Sequence, residues 1–467
     1  MKRQAAVLLI IFLFSLQAIY AVVPKKWELY RFEEFLRGKF DGISVSCEGV
    51  LSLSSQEEEI QGPGEEFYLS ILFTASDEIF LGTGHSGKIY KIDKNGKSEL
   101  YYRVPEVDIY CLARDRKGDL YAGTSPNGKI YKITDKDKGS VFFDPAEKYI
   151  WDLMFTDTGS LLAAVGENGG IYEISPQGNG LSILKAEENH ILCLHRDKNG
   201  DLLAGSGGKG HLYRITKKRK AMIVFESPFE EIKSIVQDRK GRIYVAASGV
   251  VTKPGANGLS PSGLASSTNV EIKVTPNSLK PSAAAAVKKK QPSALYRVDA
   301  KGVAKMLWNS GEEMIYSLLW DKEKNSLLFG TGARGRIYSV DQNDKITLVL
   351  QKNSEQIFHL ASHNRKTYIL SNNPSLISYL QPKQRFDGVY TSRVLDTSVH
   401  SSWGRMNWET IRPEDTALQF YTRSGNTSEP NKTWSEWSPP YKNIQGEQIL
   451  SPKARYVQYK AIFQIQS

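Results

Sequence analysis

Three side chains able to hold a metal ion recur at related positions in this 467-residue sequence. Asp108, His190 and Glu231 are separated by 82 and 41 residues, so both separations are multiples of one interval. Carboxylates and imidazole are ligands for calcium and zinc, and a metal ion held in this way can activate water for hydrolysis. The same side chains around a binding mouth could instead contact an organic ligand without catalysis. The spacing leaves both chemistries open.

The 41-residue interval belongs to a repeat that runs through most of the chain. Asp119 to Thr134 (DLYAGTSPNGKIYKIT) closely matches Glu78 to Asp93 (EIFLGTGHSGKIYKID). A small residue stands eight positions before the tyrosine, as in Gly82 and Tyr90. A period of about 40 to 45 residues with four strands per copy is typical of a β-propeller. The tyrosine position occurs seven times, at Tyr90, Tyr131, Tyr172, Tyr213, Tyr296, Tyr338 and Tyr379.

We therefore predict an all-β chain in which residues 42–385 form a seven-bladed β-propeller and residues 386–467 a small antiparallel β-sandwich. The last repeat has no obvious fourth strand, whereas Cys47 to Ser54 (CEGVLSLS) alternates like a strand before the first full repeat. If this N-terminal strand completes the last blade, the ring closes and has no exposed edge. Sandwich strands are expected in Gly388–Asp396, Trp403–Glu409, Leu418–Ser424 and Arg455–Gln464.

The N-terminus reads as an export signal followed by a short helix. Residues 1–21 have a basic start, an apolar run and a small residue, Ala21, at the expected cleavage point, which predicts a signal peptide and a periplasmic or secreted protein. Within residues 22–41, Pro24 to Gly38 has the apolar spacing of a short amphipathic helix. We expect it to pack as a latch on the propeller. Binding to a membrane surface is the alternative.

Charge and cysteine usage narrow the choice of partners. The net charge is +10, but residues 249–292 alone hold six lysines and one glutamate. Since the basic excess is concentrated in this segment and not on a folded face, nucleic acid is not the expected partner. We read residues 249–292 as a disordered insertion in blade 5, on the face of the mouth.

Cys111 and Cys193 share one repeat position two copies apart, so we expect both to be buried and unpaired. We further expect the protein to be a monomer that does not insert into membranes.

Aligning the repeats predicts which side chains surround the mouth. One residue at the start of each inner strand forms a first ring: Phe67, Asp108, Tyr149, His190, Glu231, Met314 and Gln356. Two positions further on, an aromatic-rich second ring follows: Leu69, Tyr110, Trp151, Leu192, Lys233, Tyr316 and Phe358.

The repeats resemble exported bacterial propellers of the NHL-repeat, gluconolactonase-like and two-component-regulator sensor type. The C-terminal strings YTSRVLD, WGRMNW, TRSGNT, TWSEWS and ARYVQYK resemble a sandwich appended to uncharacterised propellers of this kind. The gluconolactonase-like members hold a central divalent metal with acidic and amide side chains. For this chain the resemblance implies a site at Asp108, His190 and Glu231, with calcium or zinc as cofactor; the other hypothesis requires no cofactor.

The favoured hypothesis is an exported, non-enzymatic recognition or scaffold protein. Its mouth would bind a small organic ligand, a glycan or a protein segment through Tyr110, Tyr149, Trp151 and Tyr316. The alternative is a metal-dependent, lactonase-type hydrolase. A third hypothesis places a carbohydrate platform on the sandwich, formed by Trp403, Trp408, Trp434 and Trp437.

Overall fold

The computed structural model describes residues 26–251, 293–411 and 413–465. The predicted signal peptide lies outside the described residues. No helix among the described residues is both long and apolar enough to span a bilayer. The N-terminal arm contains one helical turn and four short strands: α1 (Phe32–Phe35), β1 (Lys39–Asp41), β2 (Ile43–Ser46), β3 (Leu51–Leu53) and β4 (Ser55–Ile60).

Seven antiparallel units of four strands follow, which we number as blades 1 to 7. Blade 1 is β5 (Phe67–Phe73), β6 (Ile79–Gly84), β7 (Lys88–Ile92) and β8 (Ser98–Arg103), and blade 2 is β9 (Asp108–Arg114), β10 (Leu120–Ser125), β11 (Ile130–Asp135) and β12 (Lys138–Phe143). Blade 3 is β13 (Tyr149–Phe155), β14 (Leu161–Gly166), β15 (Gly170–Ile174) and β16 (Gly180–Lys185), and blade 4 is β17 (His190–Arg196), β18 (Leu202–Gly207), β19 (His211–Ile215) and β20 (Ala221–Glu226).

Blade 5 is β21 (Phe229–Gln237), β22 (Ile243–Val251), β23 (Ser293–Val298) and β24 (Ala304–Ser310), and blade 6 is β25 (Ile315–Asp321), β26 (Ser326–Thr331), β27 (Arg336–Val340) and β28 (Ile346–Gln351). Blade 7 is β29 (Gln356–His363), β30 (Lys366–Asn372), β31 (Leu376–Gln384) and the N-terminal β4. The all-β prediction of a propeller closed by an N-terminal strand is thus confirmed.

The C-terminal part consists of β32 (Asp387–Thr391), β33 (Leu395–Ser401), β34 (Arg405–Met406), β35 (Thr416–Gly425), β36 (Glu447–Gln448) and β37 (Ala454–Ile465). The long strand β37 pairs with β32, β33 and β35, while β34 and β36 form a separate ribbon. The arm's β1 pairs with the free edge of β32. The C-terminal sheet is therefore completed by residues from the other end of the chain.

The closing strand is not the segment that the alternation suggested. Within Cys47–Ser54, the strand Leu51–Leu53 pairs with β2, which lies on the outer edge of blade 6. The strand that completes blade 7 is the acidic β4, with Ile60 opposite Ile377. An outer blade strand is largely solvated, so it does not need an apolar face, and strand alternation is a poor guide to its position.

The N-terminal helix is shorter than predicted. Only Phe32–Phe35 is helical, and Glu34 accepts hydrogen bonds from the backbone N–H groups of Tyr30 and Arg31 at its start. Because Phe32 and Phe35 are buried in a cluster with blade 6 and the C-terminal sheet, one turn suffices to anchor the arm. The segment packs as a latch, as expected.

The predicted insertion, residues 249–292, falls largely outside the described residues. Gly249–Val251 continue β22, and Val251 lies opposite Phe229. On the other side of the gap, Ser293 lies opposite Ser248. Both ends of the undescribed segment therefore stand at the mouth end of blade 5.

The repeat tyrosine has a structural role in several blades. In blade 4, Tyr213 donates its hydroxyl to Glu188 at 2.7 Å, and His211 of the same strand contacts that carboxylate. In blade 6, Tyr338 and Arg336 surround Glu313 in the same way, with Arg336 Nη1 at 2.8 Å. Blade 1 repeats the arrangement with Tyr90, Lys88 and Glu65. This glutamate precedes the inner strand, so the triad ties the third strand to the entry of the first.

Blade 5 departs from this pattern. Phe229 stands where blade 4 has the glutamate, and Ala294 stands two residues before the tyrosine, where blades 1, 2, 4 and 6 carry a base. The Tyr296 hydroxyl is buried and has no hydrogen-bond partner among the described residues, and burial raises the pKa of Tyr296 to about 12. In blade 5 the ring of Tyr296 still packs in the core, but its hydroxyl makes no hydrogen bond with the described residues.

Candidate functional site

The inner strand of every blade carries a β-bulge at the same place. In blade 3, Ile150 pairs with Val165 and Asp152 with Ala164, so Trp151 is skipped in the register. A bulged residue leaves the hydrogen-bonded ladder, and its side chain departs from strict alternation. The skipped residues of the seven blades are the predicted second ring: Leu69, Tyr110, Trp151, Leu192, Lys233, Tyr316 and Phe358.

The residue after each bulge forms a third ring that joins the blades. Ser70 donates to Ile109 O of blade 2 at 3.0 Å, and Ser317 accepts from Leu360 N of blade 7 at 3.0 Å. Cys111 and Cys193 are members of this ring and are buried, free thiols, as predicted. The complete third ring is Ser70, Cys111, Asp152, Cys193, Ser234, Ser317 and His359.

The small residue of each repeat makes room for this ring. A methyl group added to Gly123 would lie 2.5 Å from Cys111 Sγ and 2.6 Å from Ile150 of the next blade. Gly205 and Gly82 stand against their third-ring side chains at similarly short distances. The small residue eight positions before the tyrosine is therefore a consequence of close blade-to-blade packing.

Four side chains of blades 2, 3 and 4 form one continuous group, which we call the aromatic cluster: Tyr110, Tyr149, Trp151 and His190. Tyr149 stacks on Trp151 with ring centroids 4.9 Å apart and planes at 10°. Tyr110 of blade 2 approaches the same tryptophan at 4.7 Å, and Tyr149 meets His190 edge-on at 5.7 Å. All four are partly exposed, so the cluster presents ring surface at the mouth.

A hydrogen bond holds the cluster together across blades 3 and 4. Trp151 Nε1 donates to His190 Nδ1 at 3.2 Å, which requires that nitrogen to be unprotonated. Burial lowers the pKa of His190, which favours the neutral ring that can accept this bond. A methyl group on Gly166 would lie 2.1 Å from His190 Nδ1, so the pair depends on a glycine at the end of β14.

Aromatic side chains of blades 6 and 7 form a second, smaller group. Tyr316 and Phe358 of blades 6 and 7 approach each other at 5.7 Å with planes at 38°. Met314 and Gln356 begin the same two blades, and both are half-buried. Of the predicted ring residues, the structure groups Tyr316 with Phe358 and, separately, the four members of the aromatic cluster.

The charged ring residues are bound to separate partners. Asp108 accepts hydrogen bonds from His85 N at 3.0 Å and Ser125 Oγ at 3.1 Å. Glu231 lies 2.9 Å from Lys233 Nζ. Phe67, the blade 1 member, packs edge-on against His85 at 4.7 Å.

His190 and Glu231 lie near each other, since both stand opposite Gly207 of β18, whereas the partners of Asp108 lie in blades 1 and 2. Each of the three belongs to a different blade and has a different partner. In the part of the chain that the structure describes, no three His, Cys, Asp or Glu side chains are grouped so that they could hold a metal ion.

Two polar residues of the third ring were missed by sequence reasoning. Asp152 accepts hydrogen bonds from Leu153 N and Leu194 N, both at 2.8 Å, yet burial raises its pKa to about 6. Burial alone lowers the pKa of His359 to about 4. Comparing third-ring positions would have found both, because the other five blades place Ser or Cys there.

The four tryptophans proposed as a platform have separate surroundings. Trp434 is buried, and Trp437 lies 4.5 Å below the guanidinium of Arg423. Trp403 donates to Pro452 O at 2.7 Å, and Trp408 packs on Phe420 at 4.4 Å. Carbohydrate binding by these residues stays a prediction.

No protein-family model matches the chain, and no curated protein is detectably similar to it. Among solved structures, a streptogramin B lyase is similar at 12% identity and a TM-score of 0.53, with 70% of this chain and 98% of the lyase covered. A catalytically inactive virginiamycin B lyase from Staphylococcus aureus with quinupristin is similar at 11% identity and a TM-score of 0.54, with 70% and 99% covered. At such low identity the likeness concerns the fold. The chain is thus a seven-bladed β-propeller with a C-terminal sheet domain, similar in architecture to these lyases.

Proposed function

We propose that the protein is an exported recognition protein that binds its ligand at the mouth of the propeller. The aromatic cluster carries this proposal, because ring surface from three blades meets on partly exposed side chains. Aromatic rings offer a large contact area and lose little conformational freedom on binding. Their position on bulges and strand ends, and not within a blade, makes that surface accessible to a ligand.

The surroundings of the cluster favour a ligand that is uncharged and has a flat apolar face. His190 is kept neutral by burial, and Lys233 is paired with Glu231. The ring of a glycan or of a small organic molecule meets this description. An extended protein segment with an aromatic or proline side chain is a further candidate of the same chemistry.

The lactonase-type alternative requires calcium or zinc between Asp108, His190 and Glu231. Each of these would have to give up its present partner to ligate the metal ion. Metal analysis of the purified protein tests it directly. Stoichiometric metal that is lost in Asp108→Ala would favour the hydrolase over the recognition protein.

Binding at the mouth is tested with the full chain on a glycan array, followed by fluorescence titration of each hit. Trp151→Ala and Tyr149→Ala should each weaken binding at least about tenfold, since each removes a stacked ring. The matched control is Tyr30→Ala, because Tyr30 is 58% exposed and lies on the N-terminal arm. Thermal unfolding of all variants separates loss of binding from loss of fold. Unchanged binding in both cluster variants would place the ligand elsewhere.

Export is a separate part of the proposal and rests on the pattern of residues 1–21. Expression of the full chain in a bacterial host should yield a mature protein that begins at Val22, as measured by intact mass. A mass that retains all residues from Met1 would contradict export by a cleaved signal peptide.

A further inference from the structure

A cleft of about 470 Å3 lies where the N-terminal arm meets the C-terminal sheet. The pairing of β1 with β32 creates it, since Lys39 lies opposite Thr391. One wall comes from the arm and the others from the loop after β32 and from the strands β35 and β37. The residues that matter for its chemistry are Arg37, Lys39, Arg393, Arg423 and Gln458.

Four of the lining residues are basic, and none of the lining residues is acidic. Nearby arginines at the rim of the same sheet are paired: Arg385 contacts Asp41 and Asp387, and Arg455 contacts Asp396. Arg37, Lys39 and Arg393, in contrast, form no ion pair with the residues that the structure describes. Arg37, Lys39 and Arg393 thus carry charges without a paired acid among the described residues, whereas the carboxylate of Glu436 acts on Arg423.

Arg423 is held in a fixed orientation at the cleft. Its Nε and Nη2 both donate to Gln458 Oε1, at 2.9 and 2.7 Å, and Gln458 Nε2 donates to Ser392 O at 2.7 Å. Trp437 lies 4.5 Å from the guanidinium and supports its face. Burial lowers the pKa of Arg423, and burial with repulsion from Arg423 lowers that of Lys460. A preorganised guanidinium of this kind loses little entropy when it binds an anion.

Arg393 has one N–H group without a hydrogen-bond acceptor in the described part of the chain. Its Nε is buried and has no hydrogen-bond partner among the described residues. A buried N–H without an acceptor is unfavourable, because it has lost its hydrogen bond to water. An oxyanion in the cleft would reduce the repulsion between the four cations.

We propose that this cleft is a second binding site, for a multiply charged oxyanion such as the phosphate group of a small molecule. Guanidinium groups match tetrahedral oxyanions because two N–H donors reach two oxygens. Arg393 from the loop after β32, Arg423 from β35, and Arg37 and Lys39 from the arm line the volume. This site is separate from the mouth. Its ligand is an anion, whereas the ligand proposed for the mouth is uncharged.

The test is isothermal titration of the full-length protein with pyrophosphate at constant, low ionic strength, because salt screens such contacts. Saturable binding with one site per chain is expected. Arg393→Gln and Arg37→Gln should each raise Kd about tenfold, as expected when a charge-assisted hydrogen bond is lost. Neither residue is fully buried, so both variants should fold, which thermal unfolding verifies.

Arg365→Gln is the matched control, since its side chain is 85% exposed on blade 7 and the variant removes the same charge. It should bind pyrophosphate as the wild type does. If the wild type shows no saturable binding to pyrophosphate or to vesicles that contain phosphatidylglycerol, the proposal is wrong. It is equally wrong if Arg365→Gln weakens binding as much as Arg393→Gln.

The two probes distinguish the sources of the oxyanion. Binding of pyrophosphate alone points to a soluble phosphate compound, whereas vesicle binding that Arg393→Gln abolishes points to a lipid headgroup. Either result supports recognition of a phosphate-type oxyanion by the cleft.

Discussion

Blades 5 and 6 are neighbours in the ring, and they differ in what surrounds the tyrosine of the third strand. In blade 6, Tyr338 and Arg336 are almost completely buried and both bind Glu313. In blade 5, Phe229 and Ala294 replace the acid and the base, and Tyr296 packs against Phe225 at 5.3 Å. The same strand positions thus tolerate either a fully paired polar triad or an almost apolar packing.

The difference shows why intermediate arrangements are unfavourable. A buried charge is tolerated when its partner is present, and removal of one partner leaves an uncompensated charge. Replacement of both partners by apolar groups avoids that cost. Blade 5 lacks the acid and the base together, and its remaining cost is one hydroxyl without a partner among the described residues.

The largest effect is expected when only one member of the blade 6 triad is changed. Glu313→Gln should lower the free energy of unfolding by about 3 kcal/mol, because Arg336 remains buried without its counter-charge. Urea denaturation measures this. The double variant Glu313→Gln with Arg336→Met should lose less than the sum of the single variants. A loss below about 1 kcal/mol for Glu313→Gln would show that the charge is not desolvated.

A second prediction extends the comparison to Asp152, which has backbone partners, and His359, whose pKa shift is due to burial alone. His359 has a folded pKa of about 4, below the ordinary 6.5, so the unfolded chain binds the proton more readily. The favourable contribution of His359 to the free energy of unfolding is present above pH 6.5 and is lost as the pH falls toward 4. Asp152 has a raised pKa of about 6, so its contribution is present at low pH and is lost as the pH rises from 3.8 to 6.

The two dependences oppose each other and should partly cancel in the wild type. The stability difference between wild type and His359→Gln should shrink or reverse between pH 6.5 and 4 by an amount on the order of 3 kcal/mol. For Asp152→Asn the difference should change by a similar amount in the opposite direction. Urea denaturation at several pH values measures both. Parallel curves for all three proteins would show that neither group titrates in this window.

A third prediction concerns the tyrosine hydroxyl of the triad in blade 6. Tyr338→Phe should lower the free energy of unfolding by about 1 to 2 kcal/mol, because Glu313 loses a donor and stays buried. Thermal and urea unfolding measure the loss. An unchanged stability would mean that Arg336 and Thr331, which donates its hydroxyl to the same carboxylate at 2.8 Å, satisfy Glu313 without the tyrosine.

The smallest effect is expected for the matched change in blade 5. Tyr296→Phe should change the free energy of unfolding by less than about 0.5 kcal/mol, or raise it, since the hydroxyl has no partner among the described residues. A loss of about 1 kcal/mol or more would indicate that this hydroxyl does have a hydrogen-bond partner in the folded protein. The pair of variants thus measures what the triad contributes.

Most of the candidate site was accessible from the sequence. The interval of 41 residues aligns the blades, so a residue at the start of one inner strand predicts its counterparts in the others. This predicted Tyr110, Tyr149, Trp151 and His190 at one mouth, and the structure shows ring contacts among the four. The alignment could not predict that Trp151 would bind His190 through a hydrogen bond, since that contact depends on the bulge and on the room left by Gly166.

The sequence by itself determined the features that recur with a short period: the number of blades, their turns and the ring positions. These follow from local alternation and turn residues, which act within a few positions of the chain. The tertiary structure alone decided which N-terminal strand closes blade 7, and it completed the C-terminal sheet with β1. It also brought Arg37 and Lys39 to the cleft that holds Arg393 and Arg423. Such contacts join distant parts of the chain, because an edge or an apolar face is covered by whichever segment reaches it, and no periodic signal marks that segment.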